Sequence, residues 1–309
     1  MRYRIPFPRG LRRTRGQAAA RCGTPCPVCV SGVPVRLRAY GERDLLICPE
    51  CRHVFWATMP SDEELELYYR ERYSDDHDQS ATQRGVVDYY RGHVAEIPGR
   101  TEVPASDCTL VDFGCSIPYL LLEAKAAGYK GFIGVDFDSK ARDFGEKHGI
   151  TVMTPSEFLR TVPDGSVDVV RFSHALEHLI RPRETLAEMA VKIRVGGWVY
   201  VTQPNVPVFK AEPHDVDVQD PLYPEHLHFF SAISLCRLVR DARLSVRVFF
   251  THQNADDVWR KCHMWLDTAH TARALADAAS IGAPKSFGPA CNYPLYLGEN
   301  SVLWAAKDR

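Results

Sequence analysis

From Cys108 onward, apolar runs alternate with amphipathic stretches, a pattern that predicts a parallel sheet covered by helices. Residues 109–113 form the first predicted strand and residues 132–136 the second. Later strands are expected at 167–172 and 197–202. Helices fit between them at 120–127 and at 184–193, where Leu186, Met189 and Ile193 share one face. Residues 246–250 and 301–306 read as two closing strands, with a helical insertion near 255–298 that includes a helix around 255–279. The expectation is an α/β fold with a Rossmann-like, doubly wound sheet and an antiparallel closing strand.

The N-terminal part follows another logic. Cys26-Pro-Val-Cys29 and Cys48-Pro-Glu-Cys51 are two C-x-x-C knuckles at the separation expected of a zinc ribbon. Each knuckle directs two thiolates at one point, and a hairpin between them completes a closed tetrahedral shell around zinc. Residues 33–38 and 45–47 read as the hairpin strands, with Gly41 at the turn. A closed shell leaves no position for water, so the expected role of Cys26, Cys29, Cys48 and Cys51 is structural. Ser61 followed by Glu64 is a capping box that starts a helix. The expected layout is a basic flexible tail at 1–21, a zinc ribbon at 22–58, a helical connector at 59–104 and a catalytic-type domain at 105–309.

Composition narrows the partners. A net charge of −1 gives no global attraction to nucleic acid or to anionic membrane, although the first 21 residues carry seven arginines and no acidic residue comes before Glu42. That run reads as a solvated tail or as an electrostatic docking arm. No apolar run reaches membrane-spanning length. Only four of the ten cysteines are paired in sequence, so the chain reads as cytoplasmic, in a reducing compartment, with no membrane partner.

Two places in the alternating domain carry chemistry. Residues 112–118 form a tight turn at the end of the first strand, where backbone N–H groups can approach a ligand. Asp136 ends the second strand about twenty residues later, the distance at which a carboxylate meets the ribose of an adenosine-containing ligand. It could also be a solvated turn residue or a helix cap. His174-Ala-Leu-Glu-His178 matches a short zinc-protease pattern, but its strand-to-helix context favours an anchoring role for Glu177 and His178. Residues 214–217 with His226 and His228 read either as metal ligands or as parts of a lid.

Residues 111–115, 134–138, 167–179 and 195–201 together resemble a class I S-adenosylmethionine-dependent methyltransferase. The ribbon, the segment 60–69 and Pro224-Glu-His-Leu-His-Phe-Phe-Ser231 resemble bacterial sugar C-methyltransferases and related polysaccharide and natural-product enzymes. The resemblance implies S-adenosylmethionine as cofactor and a small-molecule acceptor. Its implied donor contacts are Asp112, Gly114, Cys115 and Ser116 in the turn, and Asp136 and Phe137 at the ribose. Ser156 and Glu157 would face the adenine, and Ser173 and His174 the sulfonium. A hydroxyl or acidified carbon acceptor must lose a proton, and His226 is the candidate base, joined by Glu225 if the chain turns there or sharing a face with His228 if it is extended, with Tyr68 and Tyr69 as further candidates for the pocket lining.

One departure is visible. Ser116 and Pro118 stand where the family keeps glycines, which adds a Cβ and removes a donor. A different class of function, a non-catalytic zinc-ribbon binding protein with a degenerate donor site, therefore stands beside the methyltransferase reading.

Overall fold

A computed structural model describes residues 25–40, 43–69, 84–205, 226–252 and 300–308. The basic tail at 1–21, Gly41, Glu225, residues 214–217 and the insertion near 255–298 lie outside the described residues.

The ribbon strands β1 (Val35–Tyr40), β2 (Arg43–Ile47) and β3 (Val54–Trp56) form an antiparallel meander. The capping box at Ser61 opens α1 (Asp62–Tyr68): Glu64 N donates to Ser61 Oγ at 3.1 Å, and Ser61 N donates to Glu64 Oε2 at 2.8 Å. The long helix α2 (Arg84–Thr101) follows.

The main domain then alternates as its hydrophobic period predicts. Its first half holds β4 (Thr109–Phe113), α3 (Tyr119–Ala126), β5 (Gly131–Val135), α4 (Ser139–His148), β6 (Thr151–Met153) and α5 (Pro155–Thr161). The second half holds β7 (Val167–Ser173), α6 (Pro182–Lys192), β8 (Ile193–Pro204), β9 (His228–Phe229), α7 (Ala232–Asp241), β10 (Ser245–His252) and β11 (Asn300–Ala306). The sheet order is β10-β11-β8-β7-β4-β5-β6, with β11 antiparallel to both of its neighbours and the other pairs parallel. This is a doubly wound sheet whose strand order reverses between β4 and β7, the place where such sheets open a ligand crevice.

The sequence reading placed Ile193 at the end of a helix, but β8 begins there. Strand β9 belongs to neither predicted strand set. It pairs with β3 through Val54↔Phe229 and Phe55↔His228, so a segment of the main domain becomes the fourth strand of the ribbon sheet. The ribbon cysteines share one apolar core with β7, β8, α6 and α7, and Arg183 donates to the Val28 carbonyl at 2.8 Å while pairing with Asp241 at 2.7 Å. Ribbon and domain are therefore one packed unit.

Burial keeps histidines neutral on both sides of the main sheet, and His53, against His228, is pushed well below its ordinary value. Burial lowers His228 to about 4 and His93 to about 3. In the unfolded chain each would titrate at about 6.5. Below that value the unfolded state binds protons that the folded state refuses, so stability falls as pH drops towards the folded values. The slope is about 1.4 kcal/mol per pH unit for each histidine, roughly 3 for the two. Denaturant titrations between about pH 6.5 and pH 4 should show this loss. His93→Phe, which keeps the edge contact with Tyr200, should remove the His93 share of the slope, about 1.4 kcal/mol per pH unit.

Candidate active site

The crevice is built on the C-terminal ends of β4, β5, β6 and β7. Phe113 faces it, and Gly114 turns the chain with φ +73, where a Cβ would stand 2.8 Å from the Ala175 Cβ. Only glycine allows the turn to pack against the end of β7. Gly114 N donates to the Val135 carbonyl at 2.8 Å, which clips the turn to β5. Ser116 follows in the left-handed region, with φ 47, a conformation costing roughly 1 kcal/mol for a residue with a Cβ.

Asp136 is the electrostatic centre of the crevice. Its Oδ2 accepts from Ser116 N at 2.7 Å and its Oδ1 accepts from Asp138 N at 2.9 Å, so its carboxylate is fixed at the cavity wall before any ligand arrives. Burial pushes its pKa up, against the pull of the backbone donors. Phe137, one of the most exposed large apolar side chains, presents its ring beside it. Pro155, Ser156 and Leu159 form the far wall.

The cavity, about 510 Å³, runs from the Asp136 end to His174, Ala175, His178 and Leu179 beyond β7, and α1 closes it with Asp62 and Leu65, followed by Tyr69. Arg181 reaches Asp62 at 3.4 Å across the entrance. The part played by α1 was not legible beyond Tyr69, because a capping box marks a helix but not where it docks. The Tyr68 side chain lies outside the described ones.

At the His174 end lies a cluster of ionisable groups. His174 is itself in the left-handed region, with φ 50, and its N donates to the Thr202 carbonyl at 2.8 Å, which pins the loop to β8. Glu177 is buried. Its Oε1 is 3.5 Å from His174 Nδ1 and 4.0 Å from His178 Nε2. Burial pushes this carboxyl up, but the approach of His174 and the charges of His178 and His174 outweigh it, and the net shift is downward. The His226 ring stands edge-on to His178, with centroids 4.9 Å apart.

Several predicted contacts fall elsewhere. The Asp112 side chain does not reach the cavity: strand alternation turns it to the α2 face, where Arg171 Nη1 donates to Oδ1 at 2.7 Å in a buried pair. Glu157 turns back from the adenine side and caps its own helix, accepting from Thr154 N at 2.8 Å and from Thr154 Oγ1 at 2.9 Å. Cys115 and Ser173 do not line the cavity; Cys115 packs in the core beneath the turn. His228 points away from His226 into the ribbon interface, where its Nδ1 is 3.0 Å from His53 Nε2. Gly114, Ser116, Asp136, Phe137, Ser156 and His174 do share the one cavity.

In the ribbon, the Sγ atoms of Cys26 and Cys51 are 3.5 Å apart and those of Cys29 and Cys48 3.6 Å, and all four buried sulfurs lie within 4.8 Å of one another. Thiolates at about 2.3 Å from a tetrahedral ion would be separated by roughly 3.8 Å. A Cβ on Gly32 would stand 2.2 Å from Cys48 Sγ, so the chain approaches this cluster as closely as only glycine can. Neighbouring sulfurs, then burial, push Cys51 up, and a hydrogen bond with Cys48 is the largest cause of the rise of Cys26 to about 12. Hydrogen bonds with Cys26 and Cys51 hold Cys48 down instead, and a cation would offset the repulsion among four clustered thiolates.

Residues 77–247, more than half of the chain, match the methyltransferase domain family. The chain belongs to that family. Its fold is that of class I S-adenosylmethionine-dependent methyltransferases. A ubiquinone biosynthesis O-methyltransferase from Albidiferax ferrireducens is 28% identical over 110 residues, a match covering 33% of this chain and 43% of that protein. The chain thus matches less than half the length of this curated relative. Among solved structures, an S-adenosylmethionine-dependent methyltransferase from Thermotoga maritima superposes with a TM-score of 0.51 at 14% identity, covering 79% of this chain and 100% of that one. No helix among the described residues is long and apolar enough to cross a membrane.

Proposed function

We propose that this methyltransferase-family chain moves the methyl group of S-adenosylmethionine to a small molecule, with a sugar, a nucleotide sugar or a natural-product intermediate as the acceptor class. The observation that carries this is the single cavity joining Asp136, Phe137 and the Gly114 turn to the histidine cluster. Asp136 would accept the ribose hydroxyls, Phe137 and Leu159 would flank the adenine, and the sulfonium would face His174. Bound there, the cofactor supplies an activated methyl group. The acceptor's lone pair forms the new bond to that methyl as the carbon–sulfur bond breaks, with its electron pair left on sulfur.

The chain's task is alignment and removal of the acceptor proton. His226, edge-on to the cavity-lining His178 but not itself in the lining, is the base in this reading. Imidazole is the side chain best suited to proton abstraction at neutral pH. Incubation with labelled S-adenosylmethionine and panels of nucleotide sugars tests the acceptor class. Label transferred only to protein or nucleic acid would refute it.

The four-cysteine cluster in this reading holds one structural zinc. Removing it should loosen the ribbon rather than merely slow the chemistry, because four clustered buried sulfurs would lose their common partner. Elemental analysis should find one zinc per chain, absent from the Cys48→Ser, Cys51→Ser double variant, with loss of ribbon circular dichroism on chelation. A metal-free protein that is folded and active would contradict the assignment.

A further inference from the structure

We propose that Glu177, His178 and His226 form a binding site for one divalent transition-metal ion in the wall of the donor cavity, separate from the four-cysteine cluster. One carboxylate oxygen and two imidazole nitrogens from these residues all lie within 4.8 Å of one another. The 4.0 Å between Glu177 Oε1 and His178 Nε2 is too long for a hydrogen bond. Ligands bonded to one ion at about 2.0–2.2 Å stand roughly 3–4 Å apart, so a small closure brings these groups into a first coordination shell.

The carboxylate supplies a second, independent reason. Glu177 is 1% exposed, and its oxygens have no nearer donor among the described residues than His174 Nδ1 at 3.5 Å and His178 Nε2 at 4.0 Å from Oε1. A buried carboxylate so placed is costly unless a cation completes it. The backbone holds the three groups in place from two distant segments: Leu227 N donates to the Glu177 carbonyl at 2.8 Å, His178 N to the Ala175 carbonyl at 3.1 Å, and Trp56 Nε1 to the His226 carbonyl at 2.9 Å.

The donor set selects the ion. Two imidazoles and one carboxylate suit zinc, iron, cobalt or manganese, whereas calcium and magnesium favour all-oxygen shells. Three protein ligands leave positions open, and His178 borders the cavity. This inference rests on the methyl-transfer reading and narrows its acceptor to one that presents an oxygen to the ion, next to the sulfonium. An ion held by these residues would acidify that hydroxyl, whose proton would be released to solvent. The oxygen lone pair then forms the bond to the methyl carbon as the carbon–sulfur bond breaks, leaving its pair on the neutral thioether. His226 in this arrangement is a ligand rather than the base.

Cobalt(II) titrated into protein with its ribbon zinc intact is the probe, read by metal counting and by visible absorption. We expect one added cobalt per chain, with weak nitrogen- and oxygen-type bands and no thiolate charge-transfer bands. Glu177→Gln and His178→Gln should each weaken its binding at least about tenfold. If Glu177→Gln fails to fold, His226→Gln, on the other segment, carries the comparison. No added cobalt in the wild type, or binding unchanged by these variants, overturns the site. Calorimetry with S-adenosylmethionine on the same samples separates the two readings: donor binding without cobalt binding removes the ion alone, and loss of donor binding removes the methyl-transfer reading.

Discussion

His226→Ala should lower turnover by about a hundredfold or more while leaving the affinity for S-adenosylmethionine intact, the effect expected when a base or an acceptor-activating group is lost. Donor and His226 meet different parts of the site. Asp136 and the Gly114 turn lie at one end of the cavity, and His226 stands behind His178 at the other. The imidazole can be removed without unstitching the local backbone, because the His226 contact to Trp56 Nε1 is made by the main-chain carbonyl. Single-turnover methyl transfer paired with a donor titration checks both halves. Turnover within a fewfold of wild type would remove His226 from the mechanism. His228→Ala should act on stability, since that ring is buried against His53 and Phe230 rather than facing the cavity.

Asp136→Ala should weaken S-adenosylmethionine binding by about a hundredfold or more, from two lost charge-assisted hydrogen bonds at roughly 1.5–3 kcal/mol each. The same carboxylate also holds Ser116 N and Asp138 N, so the alanine variant loosens the turn that borders the ligand as well. Asp112→Asn is the contrasting case. It sits against Arg171 on the opposite face of the sheet, and its expected cost falls on folding, with donor affinity near wild type. Isothermal titration of both variants decides the matter. Wild-type affinity in Asp136→Ala would show that the ribose is held elsewhere.

The sheet was legible because its strands are buried on both faces and read as continuous apolar runs, and Asp136 was legible because it interrupts such a run at its end. Asp112 illustrates the limit. It and Asp136 look alike in sequence, yet Asp112 lies inside its strand, where alternation sends its side chain to the α2 side, and its partner Arg171 becomes evident only once β4 and β7 are in register. The capping contact of Glu157 was legible in principle, since Thr154 and Glu157 repeat the same spacing as Ser61 and Glu64. The β3–β9 pairing was not legible. It joins residues about 170 positions apart through a two-residue strand too short to carry a period. The separation of His226 from His228 follows from that pairing, which fixes His228 inside the ribbon interface.

The central claim is that the cavity holds S-adenosylmethionine despite Ser116 and Pro118 in its turn. Calorimetric titration of the wild-type chain with S-adenosylmethionine and with its demethylated product tests this directly. The geometry predicts one site per chain with micromolar dissociation constants for both. Millimolar or absent binding of both would contradict it and leave the chain a scaffold with the shape of a methyltransferase.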